Sequence, residues 1–554
     1  MPSVRTSEHN AAELQEEGAQ VGPVLEAPAS TDDSLEYPSG VRLGFIIVGL
    51  LLSMFLGALD STILAQAIPS ITESFPGVAN IVWYSTAYSI SNTAFKLAWG
   101  RAYQMYAIKP TFLVSMALFE AGNIVCAVAR SAAVVIIGRI VAGLGGAGLM
   151  CGSFIISARC VTKKYRPMMM GVTSLAFGIS SVAGPAMGGA LVDSLGWRWC
   201  FWINLPLGAL AAGLMMAFYK RASQAVSGQT TLLQRIENMD LGGAVLVGAS
   251  LVCFVLAMHW IGTLPWRSPQ IIGSLVGFVL LAVVFAIHQR LMGPKAMFQP
   301  RLLKNRTIAA SCTFAFFFSG VLFPLEYILP IQFQALGGES AAASGVRIIP
   351  LLVTVSVFTL VANGILTLRP TFSPLFVFGA LAGTAGAIVM YKLDAQAAAR
   401  QWIGAEILTS IGVGLALQLP IMANVAAVGT EDIPMATSLA LFFENVGTTI
   451  FVSASDAAFT AGLVESIAQT TSSVDLHALI NAGATSLRTT FPAAQLSAVL
   501  GAYEEGSRQS HLVPVACGSA ALLVAITSAL PSAIKGLRKY ASGRERLSQR
   551  VHVS

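Results

Sequence analysis

The chain has 554 residues, 55% of them hydrophobic and only 11% charged, with a formal net charge of +6. Soluble domains carry roughly a quarter charged residues, so this composition excludes a soluble enzyme, a nucleic-acid binder and a secreted disulfide scaffold. It points to an integral membrane protein, in which Lys and Arg set topology and imply no acidic partner.

Residues 1–43 are expected to form a disordered, acidic cytosolic tail, since eight acids stand against Arg5 alone as far as Tyr37. Neither a signal peptide nor a transit peptide is legible there, so the first apolar stretch is expected to act as the uncleaved insertion signal. Spans of about 20 apolar residues follow near 44–66, 79–99, 111–129, 133–157, 168–192 and 200–219, an N-terminal six-helix bundle over 44–219. A linker over 220–307 carries two more, near 241–259 and 270–289. The C-terminal six-helix bundle, 308–532, holds spans near 308–333, 347–368, 373–391, 402–424, 436–460 and 513–532, with an amphipathic outer loop at 461–512 that is expected to form helical turns. Residues 533–554 read as a basic cytosolic tail. The predicted fold is all-α, integral membrane, with 14 transmembrane spans in two six-helix bundles plus two inserted helices.

With both termini inside, 23 Lys and Arg residues, Lys96 and Lys109 among them, fall in inner segments and 8 in outer ones. That is the bias expected of multi-pass proteins. The sequon at Asn305 lands in an inner loop, where no glycosylation is expected. The seven cysteines lack metal-ligand spacing and read as small core residues, so neither a metal nor a cofactor is expected. No Gly-Lys dipeptide occurs, so the phosphate-cradling loop of an ATP-driven pump is absent from the chain.

An ionised side chain at mid-bilayer costs about 2.5–3.5 kcal/mol on insertion scales, so charges within spans carry the most information, for a functional or a structural role. They are Asp60, Glu120, Arg139, Glu326, Glu406, Glu444 and Asp456. Burial disfavours an ionised carboxylate and a nearby Arg favours it, so Asp60 beside Arg139 can load and release a proton as its surroundings open. The structural alternative is that Asp60 satisfies a broken helix around Ser61 and Thr62, while Arg139 pins spans 1 and 4 together. Glu326 lies between Pro324 and Pro330 in an aromatic run with Phe323 and Tyr327, which reads either as a discontinuous helix lining an amphipathic cavity, with Gln332 a further candidate, or as an aromatic face turned to lipid or core. Glu444 and Asp456, 12 residues apart near opposite ends of one helix, are either substrate-binding acids or rim residues facing water.

Four local patterns complete the sequence reading. They are Leu59-Asp60-Ser61-Thr62-Ile63 with Ala67-Ile68-Pro69 in span 1, Gly138-Arg139 through Gly148 in span 4, Gly178 through Gly184-Pro185-Ala186-Met187-Gly188-Gly189 in span 5, and Trp197-Arg198-Trp199 through Asn204-Leu205-Pro206-Leu207-Gly208 entering span 6. In this order they resemble the major facilitator superfamily, and within it the 14-span drug:proton antiporters, especially fungal toxin and secondary-metabolite efflux pumps. The resemblance covers about residues 44–460 and implies the major facilitator fold. It also implies proton-coupled efflux of a lipophilic or amphipathic small molecule by alternating access, Asp60 and Arg139 coupling the proton, and gating by Gly178, Gly184, Pro185, Gly188 and Gly189. Close backbone approach at Gly184 and Gly188, one turn apart, and the hydrogen bond missing at Pro185 fit such motion, with static small-residue packing the alternative, and the position of the motif in span 5 favours motion.

A further motif, between spans 2 and 3, keeps Gly100 and Lys109 but has Gln104 in place of its acid, which argues against a charge latch between the halves at this loop. A transporter rather than an enzyme is implied, driven by the proton gradient without a cofactor. Its partners are the lipid bilayer, a small-molecule substrate and protons, and it is expected to be a monomer. The plasma membrane is the expected location, the vacuolar membrane the second choice. A vacuolar, siderophore or amino-acid carrier of the same fold would share every motif named.

Overall fold

The computed structural model describes residues 37–75, 81–220, 239–261, 264–393, 397–470 and 486–551, with 474, 479 and 484, and only the backbone of 81, 82, 294, 341, 342 and 530–551. The acidic tail to residue 36 and the linker at 221–238 lie outside the described residues. Among the described residues fourteen long helices follow in order: α1 Gly40–Ser74, α2 Ile81–Met105, α3 Ile108–Ala127, α4 Ala132–Cys160, α5 Arg166–Leu195, α6 Asn204–Phe218, α7 Leu241–Ile261 and α8 Pro269–Met292. The remainder are α9 Arg306–Ala335, α10 Ile349–Leu368, α11 Phe372–Tyr391, α12 Ala399–Ala416, α13 Ile433–Thr470 and α14 Ala493–Val551. Among the described residues there is no strand. Local chemistry sets several boundaries. Ser131 caps α4 by accepting from the Val134 amide, and Asn305, the residue of the sequon, caps α9 by accepting from Thr307 at 3.0 Å.

Length and apolar composition qualify 13 described helical segments as membrane spans; α2 falls short. Its sequence carries Asn92, Lys96 and Arg101, and it is enclosed by α4, α7 and α13, so protein takes the place of lipid along much of its surface. At the other extreme α8 packs mainly on α7 and turns Val276, Val279, Leu280 and Val283 outward, the surface a lipid-facing helix needs.

Helices α1–α6 form one bundle and α9–α14 the other, and the two halves meet through α2 against α13 and α5 against α10. The second helix of each half thus packs on the fifth helix of the other, which is the signature of a pseudo-two-fold relation. The inserted α7 leans on α2 and α13. Helices α13 and α14 both run further than hydropathy indicates, into the expected outer loop 461–512. They pack there on each other, and Leu463, Ile467, Leu487, Phe491 and Val499 make a small core of their own. Amphipathic turns outside a bilayer stay helical when their apolar faces find one another.

Asp240, at a positive φ of 52°, anchors the inserted pair. It is buried and accepts from His288 Nε2 at 2.7 Å (with that nitrogen protonated), Gln289 Nε2 at 2.7 Å, and the backbone amides of Gly243 and Met297. Burial alone would push its carboxyl up, but hydrogen bonds, first from His288 and Gln289, hold it below the usual carboxylate range. This stabilisation is fully present above the unfolded value of about 3.9 and is lost as pH falls through the depressed native value. The melting-temperature gap between wild type and Asp240→Asn is therefore expected to be widest near neutrality and to close in acid.

Candidate functional site

Asp60 and Arg139 are 79 residues apart in sequence, yet Arg139 Nη1 donates to Asp60 Oδ2 at 2.6 Å with both side chains sealed from solvent. Arg139 Nε also donates to the Tyr84 carbonyl at 3.0 Å, and its guanidinium lies 4.4 Å from the Tyr88 ring centroid. Tyr88 in turn donates to the Gly57 carbonyl at 3.1 Å, tying α2 to α1 beside the pair. The cation is thus held from several sides, whereas Asp60 Oδ1 is buried and accepts no hydrogen bond. That oxygen is an unfilled hydrogen-bonding position of the pair.

The glycines of the span 5 motif divide by surroundings. A Cβ at Gly184 would collide with the side chain of Thr62, and one at Gly188 would come within 3.0 Å of Ile63 Cγ1 and its carbonyl oxygen, so both permit α5 to lie directly against α1. Gly178 meets Ser356 of α10 across the halves, while Gly189 faces open space. Pro185 lies inside α5, between the two contact glycines.

Between the halves lies a cavity of about 170 Å³ bounded by α1, α2, α4, α5, α9, α13 and the break after α12. Of the sequence candidates Phe323 and Glu444 line it, together with Tyr88, Asn92 and Gln418. Glu326 lines a smaller pocket that shares Ser174, Phe177, Leu417 and Gln418 with it. Glu444 Oε2 and Glu326 Oε1 are both buried without a hydrogen-bond partner. Three candidates are not brought to this cavity, which corrects the grouping read from the sequence. Tyr327 is 42% exposed and donates to Asp456 Oδ1 at 3.1 Å, outside it. Gln332 opens instead on a separate pocket with Arg347 and Trp402. Neighbours on a helix point 100° apart, so Glu326 and Tyr327 straddle Phe323 and face different elements.

On the face rich in Lys and Arg the halves are closed. Gln104 Nε2 donates to Asp432 Oδ1 at 2.9 Å, Arg301 reaches the same oxygen at 2.5 Å, and Arg159 donates to the Thr430 carbonyl at 3.0 Å. Gly100 packs against Ser438 in the same region. The glutamine that replaces the motif's acid thus still bridges the halves, as a neutral donor to an acid. Lys109 does not take part; it donates to the Met216 carbonyl at 2.6 Å within the N-terminal half.

Lys96 is a correction of a different kind. Counted with the inner segments from sequence, it is fully buried within α2, its Nζ 3.9 Å from Met150 Sδ and within electrostatic range of Glu444 across the halves. Asn92, one turn earlier, accepts from Asn445 at 3.2 Å, also across the halves. Tyr84, Tyr88, Asn92 and Lys96 recur every four residues, a polar stripe on one helix face that could have flagged all four.

Comparisons with known proteins fit this geometry. The sequence model of the Major Facilitator Superfamily matches residues 50–452. The MFS-type transporter grgE of Penicillium sp is 39% identical over 88% of this chain and 86% of its own. The MFS-type efflux pump MFS1 of Arthroderma benhamiae is 34% identical over 89% and 92%, and the probable efflux pump gsfJ of Penicillium aethiopicum 35% identical over 88% of each. Among solved structures, human organic anion transporter MFSD10 superposes with a TM-score of 0.52 at 14% identity, covering 87% of this chain and 100% of that one. A double Trp mutant of XylE gives 0.55 at 14%, covering 88% and 95%. Two six-helix halves related by a pseudo-two-fold, a cavity between them and these matches lead to one conclusion: the chain is a multi-pass membrane transporter of the Major Facilitator Superfamily.

Proposed function

We propose that this transporter exports a lipophilic or amphipathic small molecule in exchange for protons, by alternating access. The observation that carries the reading is the Asp60–Arg139 pair, buried immediately behind the cavity wall formed by Gly57, Ser61 and Tyr88, with one carboxylate oxygen open. When Asp60 binds a proton its attraction for Arg139 falls, the α1–α4 contact loosens, and α1 becomes free to slide over Gly184 and Gly188. Deprotonation restores the pair. A cavity of about 170 Å³ is smaller than the ~300–1,000 Å³ usual for drug-sized ligands, which supports separation of the halves during loading. Relatives described as efflux pumps favour export, and the Lys and Arg distribution favours cytosolic termini. The plasma membrane is the location we propose.

Phe323 and Tyr88 supply apolar and aromatic contact for such a cargo, and Glu444 a carboxyl acceptor. A hydrogen bond to a charged group is worth about 1.5–3 kcal/mol. Glu444→Gln is therefore expected to raise the KM for the cationic dye rhodamine 6G by ~10-fold or more, with little change for a neutral dye. An equal change for both dyes would place Glu444 in packing rather than recognition.

The reading is tested by uptake of a panel of lipophilic toxins and dyes into inside-out vesicles, with a proton gradient imposed and then collapsed. Uptake that follows the gradient is expected. Uptake indifferent to it would overturn proton exchange, and uptake of amino acids or siderophores alone would move the protein to the nutrient carriers.

A further inference from the structure

The internal symmetry of the fold extends to single residues, and at one of them the chemistry is inverted. In the N-terminal half a Cβ at Gly122, the fifteenth residue of α3, would strike the backbone of Ala142, the eleventh of α4. In the C-terminal half a Cβ at Gly386, the fifteenth of α11, would strike the backbone of Thr409, the eleventh of α12. The second contact repeats the match: Gly145, fourteenth in α4, meets Phe119, twelfth in α3, while Gly412, fourteenth in α12, meets Gly383, twelfth in α11. The α3–α4 and α11–α12 pairs therefore correspond residue for residue. Arg139 is the eighth residue of α4, and the eighth residue of α12 is Glu406.

Where one half places a guanidinium with its carboxylate, the other places a carboxyl group with nothing. Glu406 is fully buried, and neither Oε1 nor Oε2 has a hydrogen-bond partner. Helices α10 and α11, packed closely against α12, and α9, which also touches it, bring no charged or titratable side chain into electrostatic range of it, Glu326 of α9 included. An isolated ionised carboxylate cannot persist in such a place. Its charge must be cancelled by a bound cation, and among the described residues no group of three His, Cys, Asp or Glu side chains gathers to hold a metal. The smallest cation needs no further ligand.

We propose that Glu406 is a second proton-binding site, which exchanges its proton with the aqueous phase as the C-terminal half rearranges. Proton entry would then be shared between one site per half, Asp60 held by its arginine and Glu406 by no other charge. This deepens, and rests on, the proton-exchange reading of the transporter, but its test needs no cargo.

Full-length protein in lipid nanodiscs is compared by infrared difference spectroscopy between acid and alkaline buffer, in H2O and in D2O. The wild type is expected to show a protonated-carboxyl band that titrates and downshifts in D2O. The band is lost in Glu406→Gln, moves in Glu406→Asp and survives in Asp60→Asn. Should Glu406→Gln fail to assemble, the shift in Glu406→Asp carries the assignment. Spectra unchanged in both Glu406 variants, or a Glu406 band that neither titrates nor exchanges, would overturn the proposal. Failure of the parent reading shows separately, as vesicle uptake indifferent to the gradient while this band is intact.

Discussion

Arg139→Met is expected to destabilise the protein by about 3–5 kcal/mol, the cost of leaving one partner of a buried ion pair without the other. Asp60 would keep its place on α1 with no hydrogen bond to Oδ1 and none left to Oδ2, since Arg139 supplies the contact at 2.6 Å. Adding Asp60→Asn removes the orphan charge, and the double variant is expected to recover most of the melting temperature. The pair of measurements separates two roles. If the ion pair only staples α1 to α4, recovery of stability brings back gradient-driven transport; if Asp60 carries the proton, stability returns and transport does not.

Gly184→Val is expected to cut transport at least ~10-fold at matched membrane abundance, whereas Gly189→Val, five residues further on, leaves it near wild type. The first Cβ would fall on the side chain of Thr62, and the second meets nothing within 4 Å. Overpacking a tight contact costs about 1–3 kcal/mol, roughly ten-fold per 1.4 kcal/mol, and here the cost falls on the surface along which α5 and α1 must slide. Equal effects at the two positions would mean that the motif acts through backbone flexibility rather than close approach.

Much of the architecture was legible because the bilayer simplifies the problem: twenty apolar residues make a span, and Lys and Arg choose its side. Where protein replaces lipid the rule weakens. Helix α2 hides behind α4, α7 and α13, so its Lys96, at the inner end of the span expected near 79–99, was counted with the inner segments although it is buried. The Asp60–Arg139 pair was legible for the opposite reason. Few charges lie within spans, and two of opposite sign had few other partners to find. The cavity candidates were harder, because hydropathy carries no information on which face of a helix looks inward. Phe323 and Glu444 reach the cavity, but Tyr327 lies on the far flank of α9 and Asp456 follows Glu444 by 12 residues, more than three turns along α13. The correspondence between Arg139 and Glu406 was beyond the sequence, since it rests on which backbones touch.

The most direct test of Asp60 as the coupling carboxylate uses one vesicle preparation and two assays. Asp60→Asn is expected to abolish uptake driven by an imposed proton gradient while retaining exchange of labelled for unlabelled dye at equilibrium, which requires the cavity and its motion but no net proton transfer. Gradient-driven accumulation by Asp60→Asn at the wild-type rate would contradict the account.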